Sequence, residues 1–185
     1  MIAPADLSPE QRPLYDSMRD GIEKYFRGFA SIANNGALMG PWAPRLHEPK
    51  FGKLVWISRW RYWYRRRCRA MRGKSILVTG TTFHSGYELY AHVFVAETRG
   101  LSDDKLSTIT AGHRPSDLTL EEAIAYDVAS SLMHHGTLPE INYRQAVKQF
   151  GVHGAAELIY LVGLYSMISV TLNGFNVPVP DAEAQ

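Results

Sequence analysis

One short segment decides the fold class. Ser75-Ile76-Leu77-Val78-Thr79 is the stretch that reads most like a strand, because its residues are β-branched or bulky and apolar. A strand needs a neighbour to pair its backbone donors and acceptors. No other segment of the chain offers one, so Ser75–Thr79 is predicted to be helical by context and the fold all-α.

The remaining segments carry helix punctuation. Ser8-Pro9-Glu10-Gln11 reads as a helix start, with Ser8 as cap, Pro9 at the first helical position and Gln11 closing a capping box. Leu14, Met18, Ile22 and Phe26 follow at four-residue spacing, and the helix should end near Gly28. Asn34–Pro41 and Trp42–Pro49 read as loop, being rich in turn formers and proline. Lys50–Met71 is predicted as one helix, with Leu54, Ile57, Trp60, Tyr64 and Cys68 at helical spacing and Arg72-Gly73 as its stop. Further helices are expected over Ser85–Thr98 and from Ser102 to Gly112. Thr119 and Glu122 form a capping box that leads into Ala123–Met133. Two more helices are expected, from Pro139 through Phe150 and over Ala155–Leu172. The last is apolar on nearly all faces and should be central and buried, with Tyr165 and Asn173 as core or interface residues. There is no repeat and no linker, so residues 1–185 are expected to form a single domain.

Composition excludes several classes. Apolar residues make up 45% of the chain and charged residues 21%, which supports a core and argues against disorder. No uninterrupted apolar run reaches the ~18–20 residues of a membrane span, the closest being Ala155–Val170, broken by Glu157 and Ser166. Met1–Pro9 has neither the basic start nor the apolar core of a signal peptide. Cys68 is the single cysteine, so there is no internal disulfide and no Cys-x-x-Cys pair, and a reducing, cytoplasmic setting is expected. The net charge of +2 is unevenly spread. Pro49–Tyr87 holds ten basic residues and no acidic one, which leaves ten basic against eighteen acidic elsewhere. Arginines 59, 61, 65, 66, 67, 69 and 72 interleave with Trp56, Trp60, Tyr62, Trp63 and Tyr64. Such a mixture can bind nucleic acid, but a solvated face with subunit contacts is the preferred reading, and neither nucleic acid nor membrane is expected as a partner.

The chemistry-bearing pattern is His84, Glu88 and His92, spaced i, i+4, i+8 and so predicted on one helix face. Ser85 shares that face, and Tyr87 and Tyr90 flank it. An imidazole beside a carboxylate is a proton-transfer pair, with the carboxylate holding the ring in place. The same three residues could instead share a metal, or simply bond one another at a helix interface.

His84-Ser-Gly-Tyr-Glu-Leu-Tyr-Ala-His92, preceded by Ile76-Leu-Val, resembles the signature helix of the carboxymuconolactone decarboxylase and alkylhydroperoxidase D superfamily. Gly40-Pro-Trp with Leu46-His-Glu-Pro49, Gly100-Leu-Ser-Asp, Ala125-Tyr-Asp, and Glu157-Leu through Gly163-x-Tyr165 to Val177-Pro-x-Pro180 are similar to further segments of one branch, so the resemblance spans about residues 40–180. It implies an alkylhydroperoxidase D-like helical bundle, assembled as a homotrimer or homohexamer. Aligned on His92, the cysteines of the peroxidase branch fall at Ser85 and Glu88, and its relay glutamate at Gly73. Without thiolates, cysteine peroxidase activity is not expected. The branch without cysteines implies cofactor-independent decarboxylation or a related lyase or isomerase reaction on a small carboxylated or enolisable substrate. His92 would be the acid–base, Glu88 its orienter, and His84 or Tyr87 a donor to the oxyanion. Arg61, Ser85, Tyr90 and His47 would bind substrate, Arg61 by a fork on a carboxylate. The alternatives are a non-catalytic binding or scaffold protein and a metal-dependent enzyme using His84, Glu88 and His92.

Overall fold

The computed structural model describes the backbone of residues 1–63 and 69–180, and their side chains except at 59–63 and 69–72. Among the described residues there are eight α-helices, one short 3-10 turn at Pro4–Asp6 and no strand. The helices are α1 (Arg12–Tyr25), α2 (Trp42–Arg45), α3 (Pro49–Trp63), α4 (Arg69–Thr82), α5 (Gly86–Glu97), α6 (Asp103–Thr110), α7 (Leu120–His135) and α8 (Glu140–Gly174). The chain is therefore all-α, and Ser75–Thr79 lies inside α4. Its hydroxyls bond to helix carbonyls: Thr79 Oγ1 donates to Ser75 O at 2.8 Å and Ser75 Oγ donates to Ala125 O of α7 at 3.2 Å. By their internal contacts the residues divide into two compact units, Met1–Tyr64 with Thr171–Gln185, and Arg65–Val170.

In the first unit α1 turns Leu14, Met18 and Ile22 inward, the spacing of one helix face. The reciprocal Ser8–Gln11 bonds form, Ser8 N–H donating to Gln11 Oε1 at 2.9 Å and Gln11 N–H to Ser8 Oγ at 3.3 Å, but they close a turn before α1, which starts at Arg12 rather than at Pro9. Gln11 Nε2 also donates to Leu46 O at 2.8 Å, tying the helix start to the end of α2. Trp42 is the aromatic centre, with Phe26 edge-on at 5.2 Å and Phe29 stacked at 6.5 Å. On α3, Trp56 is buried and its Nε1 donates to Ser17 Oγ of α1 at 3.1 Å. Gly52 lets α3 approach α2, since a Cβ there would collide with the Arg45 carbonyl oxygen and sit 2.9 Å from Arg45 Cβ. Of the residues at helical spacing on α3, Leu54 and Ile57 are 63% and 47% exposed, while Gly52 and Trp56 form the buried side.

In the second unit α4 packs on α5, α6 and α7. One apolar cluster joins Leu77 and Val78 of α4, Ala96 of α5, Leu106 and Ile109 of α6, Tyr126 and Ala129 of α7 and Val162 of α8. A second joins Ile124, Ala125 and Val128 of α7 to Ala146, Ala155 and Leu158 of α8. The Thr119–Glu122 capping box is present, and the Glu122 carboxylate also binds Lys74 Nζ of α4 at 2.5 Å and Lys105 Nζ of α6 at 3.4 Å. Burial alone would raise the pKa of Glu122. The hydrogen bonds from Lys74 and the Thr119 N–H, with the charges of Lys74 and Lys105, outweigh it and lower the value from 4.5 to about 2.

Three features differ from expectation. Arg72-Gly73 does not end a helix, because α4 runs through it; a glycine stops a helix by taking positive φ, and Gly73 does not. The expected stop near Phe150 is a break inside α8, where Gly151 takes φ 73° and ψ 170°. Finally, α8 is long and apolar enough to cross a membrane by length and composition, which counting uninterrupted residues from Ala155 to Val170 had missed. Nor is it buried all round: Leu158, Val162 and Tyr165 are inside, but Tyr160 is 65% and Val170 55% exposed.

Two measurements test this packing. Gly52→Ala is expected to lower stability by about 1–3 kcal/mol, since backbone must move. Gly80→Ala in α4 meets only ordinary contacts, the nearest being Leu89 Cδ2 at 3.4 Å, and should be neutral or gain up to about 1 kcal/mol in the same urea titration. The Glu122 carboxylate has a folded pKa below its unfolded one, so its stabilisation is complete above about 4.5 and is lost as pH falls toward about 2. Glu122→Gln should cost roughly 3 kcal/mol near neutral pH and flatten the acid limb of the stability curve.

Candidate proton-transfer site

The site is set by the turn between α4 and α5. His84 takes φ 50°, a left-handed conformation in which His is enriched among non-glycine residues. Ser85 follows with extended backbone, and its N–H donates to Gly80 O at 2.9 Å. Helix α5 therefore starts at Gly86, and its first turn rests on Gly80, where an added Cβ would lie 3.5 Å from Glu88 Cβ.

Glu88 and His92, one turn apart on α5, are brought together. Glu88 is 2% and His92 5% exposed, and His92 Nε2 lies 3.3 Å from Glu88 Oε2. An ionised carboxylate beside Nε2 favours the tautomer with the proton on that nitrogen, which leaves Nδ1 to take one up. From α8, Tyr165 sets its ring against the imidazole, with centroids 5.2 Å apart and planes at 83°. Tyr165 is 1% exposed.

Ser85 is fully buried, and although it occupies the N-cap position its hydroxyl does not cap the helix. Its Oγ has no hydrogen-bond partner among the described residues, and neither has Ser169 Oγ, one turn beyond Tyr165 on α8. Tyr87 is buried and meets Tyr90 edge-on at 5.7 Å.

The other expected site residues are placed differently. His84 is exposed in the turn and off the helix, so it does not share a face with Glu88 and His92. Periodicity counted through position 84 assumed a helix that starts only at Gly86. The arrangement His84, Glu88, His92 proposed for a metal is therefore not assembled, and among the described residues no group of three His, Cys, Asp or Glu side chains could hold one. His47 is exposed in the first unit, where it stacks on Phe175 with centroids 5.1 Å apart. The side chain of Arg61 lies outside the described residues.

Tyr165 is core, as expected, and its ring contact with His92 is what the sequence reading did not anticipate. The available signal was polar groups at helical spacing in an apolar helix, Tyr165 and Ser169. No family model matches the chain, and no curated protein matches it.

Glu88→Ala removes the partner of a buried ring and should cost about 1–3 kcal/mol. Long-range proton–nitrogen spectra should at the same time show His92 losing its preference for the Nε2-protonated tautomer. Unchanged tautomer populations would show that Glu88 does not set the ring.

Proposed function

We propose that this chain is a cofactor-independent acid–base enzyme of the carboxymuconolactone decarboxylase-like kind, a lyase or isomerase acting on a small carboxylated or enolisable molecule. The observation that carries this reading is the buried His92–Glu88 contact, with Tyr165 packed on the imidazole. Decarboxylation is the leading case. The bond to the carboxylate carbon breaks, carbon dioxide leaves, and the electron pair passes into an adjacent carbonyl as an enolate. The enolate is then protonated at carbon. His92 supplies that proton, and Glu88 keeps the ring aligned and balances the imidazolium. Ser85 Oγ and Tyr87 are the buried hydroxyls nearest in sequence to Glu88 and would donate to the oxyanion. Arg61 remains the sequence-based choice for the carboxylate anchor. The alkylhydroperoxidase D-like bundle, the homotrimer or homohexamer and the cytoplasmic setting belong to the same proposal.

A second reading, a non-catalytic binding or scaffold protein, is favoured by the burial itself, since both members of the pair are almost fully enclosed. One assay separates the two. A panel of β-keto acids and carboxylated lactones is screened for carbon dioxide release, and the active substrate is re-assayed with His92→Ala. Acid–base catalysis by His92 predicts a fall in kcat/KM of about 10²–10⁴-fold. No carbon dioxide release from any member of the panel, with His92→Ala losing stability, would support the second reading, and parent-like turnover by the variant would remove His92 from the chemistry.

A further inference from the structure

The outward face of α3 has no part in the proton-transfer site. Phe51, Leu54 and Ile57 stand 58%, 63% and 47% exposed on it, a strip about 9 Å long by helical rise. Lys50 and Lys53 are exposed beside them, and no acidic residue occurs from Pro49 to Tyr87. Large apolar side chains in water cost free energy, and three together mark a contact surface rather than scattered exposure. Each candidate occupant meets this chemistry differently. Nucleic acid would satisfy the lysines but leave leucine and isoleucine against phosphates and water. A second copy placing the same face against itself would bring basic residues together. A bilayer surface with anionic headgroups satisfies both parts at once, since apolar side chains enter the headgroup–acyl boundary while lysines stay among the phosphates.

We infer that α3 is a docking surface for an anionic membrane face, lying flat on it through Phe51, Leu54 and Ile57 with Lys50 and Lys53 at the headgroups. The sequence argues in the same direction, since Arg59-Trp-Arg-Tyr-Trp-Tyr-Arg-Arg-Arg67 continues the basic and aromatic character. This departs from the expectation of no membrane partner, which weighed only membrane-spanning segments.

The test is flotation of the full chain with vesicles of phosphatidylcholine alone and of phosphatidylcholine with about 30% phosphatidylserine. Binding is expected to the anionic vesicles only, and to be lost at ~0.5 M salt. Lys50→Gln with Lys53→Gln should weaken partitioning about thirtyfold. Phe51→Ser with Leu54→Ser should weaken it at least about tenfold. Both pairs are exposed, and circular dichroism confirms that the variants remain folded. Equal binding to neutral vesicles, or no binding to either, overturns the inference. So does a serine variant that lowers the oligomeric mass in light scattering but floats like the parent, because the face would then belong to a second copy.

Discussion

Glu122 does two jobs with one carboxylate, and the second unit is arranged around it. As the third residue of α7 it closes the capping box with Thr119, and it also takes Lys74 from α4 and Lys105 from α6. An enclosed carboxylate is tolerated only where its lone pairs are filled, so the three helices are held to the rotations that fill them. Fixing α4 in this way turns Ser75 toward Ala125 O and presents Gly80 to α5. At Gly80 the backbone of α4 lies in ordinary contact range of Glu88 and Leu89, so the helix held by the ion cluster is also the one that α5 rests on.

What could be read from sequence follows the range of the interactions. Capping boxes involve neighbours three residues apart, and the reciprocal bonds of both Ser8–Gln11 and Thr119–Glu122 form. The helical state of Ser75–Thr79 followed from elimination, since a lone strand has nowhere to send its backbone hydrogen bonds. Where the reading fell short, a local pattern had two physical meanings. Leu54 and Ile57 keep helical spacing, but so do Gly52 and Trp56, and only the close approach to Arg45 decides which side goes inward. Gly73 has the identity of a helix stop without the positive φ that makes one. His84 fits the period of Glu88 and His92 while standing outside the helix that gives the period meaning.

The site was legible in the same partial way. Glu88 and His92 share a helix, so their contact is encoded by spacing alone. The Tyr165 ring reaches His92 from another helix, and nothing local records that meeting. Nor does spacing reveal burial. A Glu–His pair on an exposed face would be worth little, whereas an enclosed pair is screened far less by solvent.

Enclosure also bears on why such a pair is there. Stability alone does not call for it, because apolar residues of similar volume commonly replace a buried ion pair without loss. The polar groups around it sharpen the point. On α4 the buried hydroxyls of Ser75 and Thr79 are satisfied by carbonyls of the chain. Those of Thr81 on α4, of Ser85 at the N-cap of α5 and of Ser169 on α8 are not. A buried hydroxyl left without a partner costs about 1–3 kcal/mol, and native structures keep few of them. Each of these hydroxyls is a place where a water or another polar group would complete the hydrogen bonding.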